Sequence, residues 1–242
     1  MAIFTITPDF PVTETCKPRV NSARFGNYEQ RTGFGINLLV ESWSLSFGSK
    51  SNVQRNELLT FFNANGFGDD ASGAPSDPFE WTTPFGETGQ FTCDGWSAAP
   101  EADGFTSFAT DFTVAYVPGA TNITQPAAPV GAFTFCPDYA GRLEHREQVK
   151  VAQLGDGYSH RLSFGLRSHT AEFQLEFNQR TNDSRDSIRS FLRGCAGVDS
   201  FDWTDPIRVT AGKYVCQEWT VTYNAFNSNN ITARFRQVFE PI

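Results

Sequence analysis

The groups in this 242-residue chain that could do chemistry are three histidines, five cysteines, 27 carboxylates and a few paired tryptophans. His145, His160 and His169 fall in no H-E-x-x-H and in no other close ligand spacing. Two of them flank a strand-turn in the second half. They read as surface residues and not as metal ligands or general bases. The cysteines (Cys16, Cys93, Cys136, Cys195, Cys216) are odd in number and lack C-x-x-C spacing. That predicts reduced core or surface thiols in a reducing compartment, without a disulfide frame or a zinc site. A nucleophilic thiol needs a base beside it, and none can be identified for Cys93 or Cys216, which read as small buried strand residues. No G-x-S-x-G elbow and no G-x-x-x-x-G-K-[ST] phosphate loop occurs. No carboxylate has the apolar neighbourhood that would raise its pKa for general-acid work. Asp69-Asp70 lies in a Gly/Ser/Pro-rich stretch and reads as solvated loop. Trp81 and Trp203, each followed by Thr with Pro three positions on, offer a sugar-stacking platform, but such pairs more often anchor a core or an interface. The expectation is a non-enzyme: no catalytic residues, no cofactor-binding residues, no metal site.

The elements that would have to position such groups come in two sets, because the chain is an internal duplication. Phe4, Pro8 and Asp9 return as Phe133, Pro137 and Asp138, 129 residues later. Tyr28, Arg31, Phe34 and Gly35 return at 130 as Tyr158, Arg161, Phe164 and Gly165. So do Trp43, Leu45 and Phe47 (Phe173, Leu175, Phe177) and Arg55, Leu58, Phe61 and Phe62 (Arg185, Ile188, Phe191, Leu192). The offset falls to 122 for Phe79, Trp81, Thr82 and Pro84 against Phe201, Trp203, Thr204 and Pro206. It is 123 for Cys93, Trp96, Phe112, Tyr116 and Pro118 against Cys216, Trp219, Phe235, Phe239 and Pro241. The large change in offset coincides with extra Gly, Asp, Ser and Pro at 66–77, as a longer surface loop would give. The repeats are therefore placed at 1–118 and 133–242, with 119–132, which holds two prolines and no charge, as a semi-extended linker.

Within each repeat the apolar period changes once. Trp43, Leu45 and Phe47, like Phe173, Leu175 and Phe177, alternate with polar residues and predict half-buried strands. Leu58, Phe61 and Phe62, like Ile188, Phe191 and Leu192, sit at i, i+3 and i+4 and predict one helical face. Asn52 and Asp183 are the expected caps and Gly66 and Gly194 the expected stops. Phe112, Val114 and Tyr116 predict a closing strand, matched by Ala233, Phe235 and Phe239. The openings Phe4–Phe10 and Phe133–Tyr139 predict strands stopped by Pro. Gly155-Asp156-Gly157-Tyr158 reads as an Asp-Gly turn with positive φ at glycine, shortened to Gly26-Asn27-Tyr28 in the first repeat. The fold class is mainly β: two tandem β-sandwich or barrel domains, each with one flanking α-helix.

Charge is split unevenly. Residues 1–118 hold 2 Lys and 4 Arg against 14 carboxylates, a net −8; residues 133–242 balance at 13 and 13. A general nucleic-acid or anionic-membrane binder is disfavoured. The opening Met-Ala-Ile-Phe-Thr-Ile-Thr-Pro has no basic stretch followed by an apolar core, and no apolar run approaches ~18 residues, so neither a secretion signal nor membrane anchoring is expected. On that reading the N-x-[ST] matches at Asn122, Asn182 and Asn230 are chance.

The order of motifs in the second repeat is distinctive. It runs Leu-Gly-Asp-Gly-Tyr-Ser-His-Arg (154–161), Phe-Gly-Leu (164–166), Ser-Phe-Leu-Arg-Gly (190–194), Phe-Asp-Trp-Thr-Asp-Pro (201–206), Tyr-Val-Cys-Gln-Glu-Trp (214–219) and Phe-Arg-Gln-Val-Phe-Glu (235–240). This resembles the minor tail protein M family of lambda-type long-tailed phages, whose pattern is G-D-G-Y-x-Q-R, G-L-N, a helix ending in F-L and glycines, F-x-W-T-P-P, V-T-C-x-x-W and a closing F-x-Q-V strand. The first repeat resembles it again at 24–31, 35–37, Phe79-Glu80-Trp81-Thr82-Thr83-Pro84 and Phe91-Thr92-Cys93. Departures are Asp205 for the first proline, Arg167 for Asn, and above all the doubling, since the family is normally a single unit.

The resemblance implies a structural tail-tip protein of the virion, assembled in the host cytoplasm, with a tail-tube-like fold and no catalysis or cofactor. It implies a place in a ring between tail tube and hub, with the tube, hub and tape-measure proteins as partners. Sixfold tubes meet threefold hubs, so a trimer of doubled chains, favoured over a hexamer, would give six similar positions. An acidic wall would let DNA pass without specific binding. The rival expectation is a carbohydrate-binding or host-adhesion module of the same virion, which predicts exposed coplanar aromatic residues.

Overall fold

A computed structural model describes residues 2–25, 28–35, 37–65, 77–129, 131–138, 141–147, 149–163, 169–207 and 209–240. The chain is mainly β, 56% strand and 15% helical, in two similar halves. In chain order the elements are β1 (Ile3–Phe4), β2 (Asp9–Pro18), β3 (Val20–Phe25), β4 (Tyr28–Gly33), β5 (Leu39–Lys50), α1 (Asn52–Ala64), β6 (Phe79–Thr82), β7 (Thr88–Pro100) and β8 (Thr106–Ala115). The second series is β9 (Arg142–Glu147), β10 (Val149–Gln153), β11 (Ser159–Ser163), β12 (His169–Arg180), α2 (Asn182–Cys195), β13 (Phe201–Thr204), β14 (Ala211–Ala225) and β15 (Ser228–Val238).

The chain divides into two compact units that are not coextensive with the sequence repeats. Unit 1 comprises Met1–Cys16, Val40–Gln125 and Thr220–Asn229; unit 2 comprises Lys17–Leu39, Pro126–Trp219 and Asn230–Ile242. Each unit thus contains most of one repeat and a short segment of the other. In unit 1 the strands follow the order β1-β6-β7-β8-β5-β2, and β14, of which Thr220–Ala225 belong here, comes next. Parallel β1–β6 pairing is joined to antiparallel β6–β7, β7–β8 and β8–β5. In unit 2 the order is β14-β15-β12-β9, with β13 on β14 and the hairpins β3–β4 and β10–β11 as separate two-stranded ribbons.

The repeated residues build the same aromatic lattice in each unit. In unit 1, Phe4 meets Phe112 at 5.2 Å, Phe79 meets Phe112 at 4.8 Å and Trp81 meets Phe112 at 5.3 Å between ring centroids, all edge-on. In unit 2 the counterparts are Phe133–Phe235 at 5.0 Å, Phe201–Phe235 at 4.9 Å and Trp203–Phe235 at 5.4 Å. The helices close both lattices through Phe61, 4.9 Å from Phe4, and Phe191, 5.3 Å from Phe133. Edge-on pairs gain beyond area burial because a positive ring edge faces a negative ring face.

Both helices and both central strands fall where the apolar period predicts, and the caps do not. Ser51, not Asn52, caps the start of α1, with the Gln54 side chain accepting from the Ser51 N–H at 3.2 Å. Thr181, not Asp183, caps α2 and accepts from the Ser184 N–H at 3.3 Å. Each lies in extended backbone, which lets a hydroxyl oxygen turn back to the first helical turn. Gly194 is not a stop either. It lies inside α2, which ends at Ala196 in left-handed backbone (φ 46°). A Cβ at Gly194 would stand 2.6 Å from the Ala127 carbonyl and 2.7 Å from Pro129, so the residue is small because residues 127–129 cross the helix there. The opening blocks are also shorter than expected: β1 spans two residues and Phe133 lies in no strand, although its N–H donates to Asp202 O at 2.8 Å. Pro8 and Pro137 lack the N–H that longer pairing needs. Gly66, Asp69-Asp70, Gly26-Asn27, Tyr139 and Phe164–Gly165 lie outside the described residues.

Candidate functional site

The groups that could have done chemistry are dispersed. His145 on β9, His160 on β11 and His169 on β12 are all exposed. Among the described residues no group of three or more His, Cys, Asp or Glu is placed to hold a metal ion, and no helix is long and apolar enough to cross a membrane. Cys93 and Cys216 are buried at matching places on β7 and β14. Burial raises both thiols above the ordinary value, and it pushes Cys195 up to about 12. At neutral pH these thiols stay protonated, the opposite of what a nucleophile needs. Trp81 and Trp203 are 3% and 4% exposed, so they are core residues with no ring face for a sugar. A cleft of about 820 Å³ opens in unit 2 beside Phe133, Phe173, Leu175, Trp203 and Ile207. Its charged rim pair, Asp138 and Arg180, is already engaged at 2.7 Å.

That pair belongs to a device found in both repeats. Asp9 takes the Lys50 ammonium at 3.0 Å and the Gly48 N–H at 2.6 Å; Asp138 takes Arg180 at 2.7 Å and the Asn178 N–H at 2.5 Å. The residue after each of those amides has positive φ: Ser49 at 45° and Gln179 at 53°. In β5 the register shifts between Phe47 and Lys50, as a bulge requires. One carboxylate therefore ties the opening segment of each repeat to the end of the strand before its helix. The device serves the fold.

The clearest difference between the repeats lies in their hairpins. The β3–β4 hairpin of the first repeat is a part of unit 2. There the Arg31 Nε donates to Val198 O at 2.9 Å, and its Nη2 pairs with the Glu240 carboxylate, which also accepts from Ser200 at 2.7 Å. One Arg236 nitrogen donates to both oxygens of Glu29, at 2.5 and 2.6 Å, with each side chain only 8% exposed. Burial works against the Glu240 carboxylate, yet the hydrogen bonds from Ser200 and Arg31 and the Arg31 charge outweigh it and hold its pKa below the usual value. Gly197, at φ 67°, completes the fit: a Cβ there would lie 2.9 Å from Pro18.

The matching hairpin of the second repeat, β10–β11, has the turn its sequence predicts, with Asp156 at φ 63° and Gly157 at φ 82°. Every residue from Val149 to Ser163 is exposed. That includes Val149, Val151, Leu154, Leu162 and Tyr158, the last at 75%. Five large apolar side chains on one exposed ribbon form the kind of patch that marks an interaction surface. Sequence reasoning passed over both features. Glu29, Arg236 and Glu240 stand inside the quoted motifs, but nothing in their type or spacing shows that they meet, and only the repetition of Arg31 as Arg161 hinted at a shared role.

The family model described as phage minor tail protein matches this chain twice, over residues 2–116 and again over 131–239. No curated protein matches it.

Proposed function

The chain belongs to the phage minor tail protein family, whose unit it carries twice, and from that premise we propose that it forms a ring in the distal tail that joins tail tube to hub. It is a structural component of the bacteriophage tail. The observation that supports a ring is the doubling: one chain supplies two similar units, so three chains give six similar positions with threefold symmetry, an adaptor between a sixfold tube and a threefold hub. In this reading the modules of the duplication are 1–118 and 133–242, joined by 119–132. The tube, hub and tape-measure proteins are the neighbours, and the protein is not an enzyme. The two repeats differ by about eight charges, which suits units facing different neighbours. An acidic channel wall repels DNA phosphates and lets the genome slide past without adhesion.

Two measurements test this reading. Light scattering on the purified assembly gives the number of chains, and an electron-microscopy map gives its symmetry. Three chains with six similar density lobes are expected. A ring of six chains with twelve lobes overturns the trimer, and a chain that remains single at every concentration overturns the ring.

A further inference from the structure

We propose that the exposed β10–β11 hairpin is the connector between chains, docking on the first repeat of a second copy of this protein. The inference rests on the ring reading and deepens it by naming the surface. Within unit 2, the second repeat holds the first repeat's hairpin through the end of β15 and the segment after α2. The repeats share a fold, so the first repeat has the same kind of hairpin-holding surface at the end of β8, and the second repeat has the same kind of hairpin. Every residue of the second repeat's hairpin from Val149 to Ser163 is exposed, and at the end of β8 Tyr116 is exposed while Asn122 bonds the Val117 backbone.

The register identifies which face docks. In the held hairpin, Arg31 lies opposite Ser22 and Gly33 opposite Val20, and the face bearing Arg31 and Glu29 is the one turned to Arg236 and Glu240. In the exposed hairpin, Arg161 lies opposite Val151, Ser159 opposite Gln153 and Ser163 opposite Val149. The corresponding face therefore carries Val149, Val151 and Arg161, two apolar side chains and a cation. On the receiving side, the offset of 123 places Thr113, Tyr116 and Val117 where the second repeat has Arg236, Phe239 and Glu240. Tyr116 is 49% exposed, while Phe239 is half-buried. Thr113 is half-buried where Arg236 is buried, so the first repeat's surface is the more open of the two at both positions.

Chemistry on the two sides has changed in step. The Glu29–Arg236 ion pair of the covered surface becomes Ser159 facing Thr113, a carboxylate and a guanidinium both exchanged for hydroxyls. Serine at position 22 becomes Val151, so the free hairpin trades charge for apolar area. A hairpin with Lys150 and Arg161 against Asp156 also meets the repeat that carries all the net negative charge. Such a contact uses different patches on the two partners, so it runs head to tail and makes a ring where the rotation between neighbours closes. The strand β9, which precedes this hairpin in the chain, ends its sheet order, whereas its counterpart β2 has a neighbour on each side.

The test uses the full chain with Cys136, an exposed thiol, replaced by serine. In one variant Val149→Glu and Val151→Glu alter two exposed positions; thermal unfolding should stay where it was while the assembly falls to single chains. In the second, Ser159→Cys with Thr113→Cys should, on mild oxidation, give a ladder of chains linked to one another that ends at the ring size. If the parent assembles but the glutamate variant keeps the full assembly, or no link between chains forms, the hairpin is not the connector and the ring reading stands. If the parent never assembles, both fall together.

Discussion

The β3–β4 hairpin lies within unit 2, its Glu29 and Arg31 engaged by Arg236 and Glu240, whereas β10–β11, at the matching position of the second repeat, has no buried residue at all. The two ribbons share strand lengths to within a residue and a conserved arginine, Arg31 and Arg161. Their difference teaches that burial here is decided by whether a receiving surface is within reach of the ribbon, and not by the ribbon's own pattern. The held ribbon has Glu29 and Ser22 on its docking face where the free one has Ser159 and Val151, and both keep the arginine. An apolar pattern alone would have assigned them the other way round.

The sharpest way to break the comparison is Arg236→Met. It takes the Arg236 cation away from buried Glu29 and should cost about 3–5 kcal/mol, read as a lower urea midpoint. Adding Glu29→Gln should restore much of it, since a buried pair replaced on both sides is often neutral. An unmoved midpoint in the single variant would mean that the pair does not hold the hairpin.

Gly197→Ala comes next. Positive φ and a Cβ 2.9 Å from Pro18 both oppose it, for a loss of about 1–3 kcal/mol in thermal unfolding. Alanine substitution at Gly194 is opposed by the close approach alone, at the crossing with Ala127 and Pro129, and a stabilised variant there would contradict that approach.

Acid titration gives a smaller effect with a defined sign. The folded state lowers the Glu240 pKa below the ordinary 4.5, so its contribution is complete above that value. It is lost as pH falls through the folded pKa. Glu240→Gln should therefore flatten the acid limb of a stability–pH curve below about 4.5 and leave its shape at neutral pH alone. An acid limb of unchanged slope would detach Glu240 from the hairpin's hold.

The smallest effect belongs to the other hairpin. Arg161→Ala and Tyr158→Ser should each change the unfolding free energy of the single chain by less than about 0.5 kcal/mol. Arg31→Ala, its counterpart, should exceed that clearly. Equal losses at Arg31 and Arg161 would erase the contrast between the ribbons.

Much of the architecture was legible because large residues recur at a near-constant offset. Phe4, Phe112 and Trp81 predicted Phe133, Phe235 and Trp203, and the same ring contacts recur to within a few tenths of an ångström. The i, i+3, i+4 spacing found both helices, and strict alternation found β5 and β12. Caps were misplaced because a cap depends on the φ and ψ of one residue, and Ser51, Asn52, Thr181 and Asp183 are all competent by type. Gly194 looked like a helix stop because a glycine needed for close approach cannot be told by type from one needed for positive φ. Ala196 takes the left-handed position instead. The arginines Arg185, Arg189 and Arg193, buried one turn apart on α2, carried no sign of burial in a chain whose charged residues otherwise read as surface.

By itself the sequence determined the doubled unit, its β character and its one helix per repeat. Those follow from local periodicity and from residue type, which act over a few positions. Tertiary structure alone decided that residues 17–39 fold with unit 2 and 220–229 with unit 1, and which hairpin is held and which is bare. Those outcomes rest on contacts such as Glu29–Arg236, 207 residues apart. At that separation closing the loop costs entropy that no local pattern records, and only a complementary surface in the folded chain can offset it.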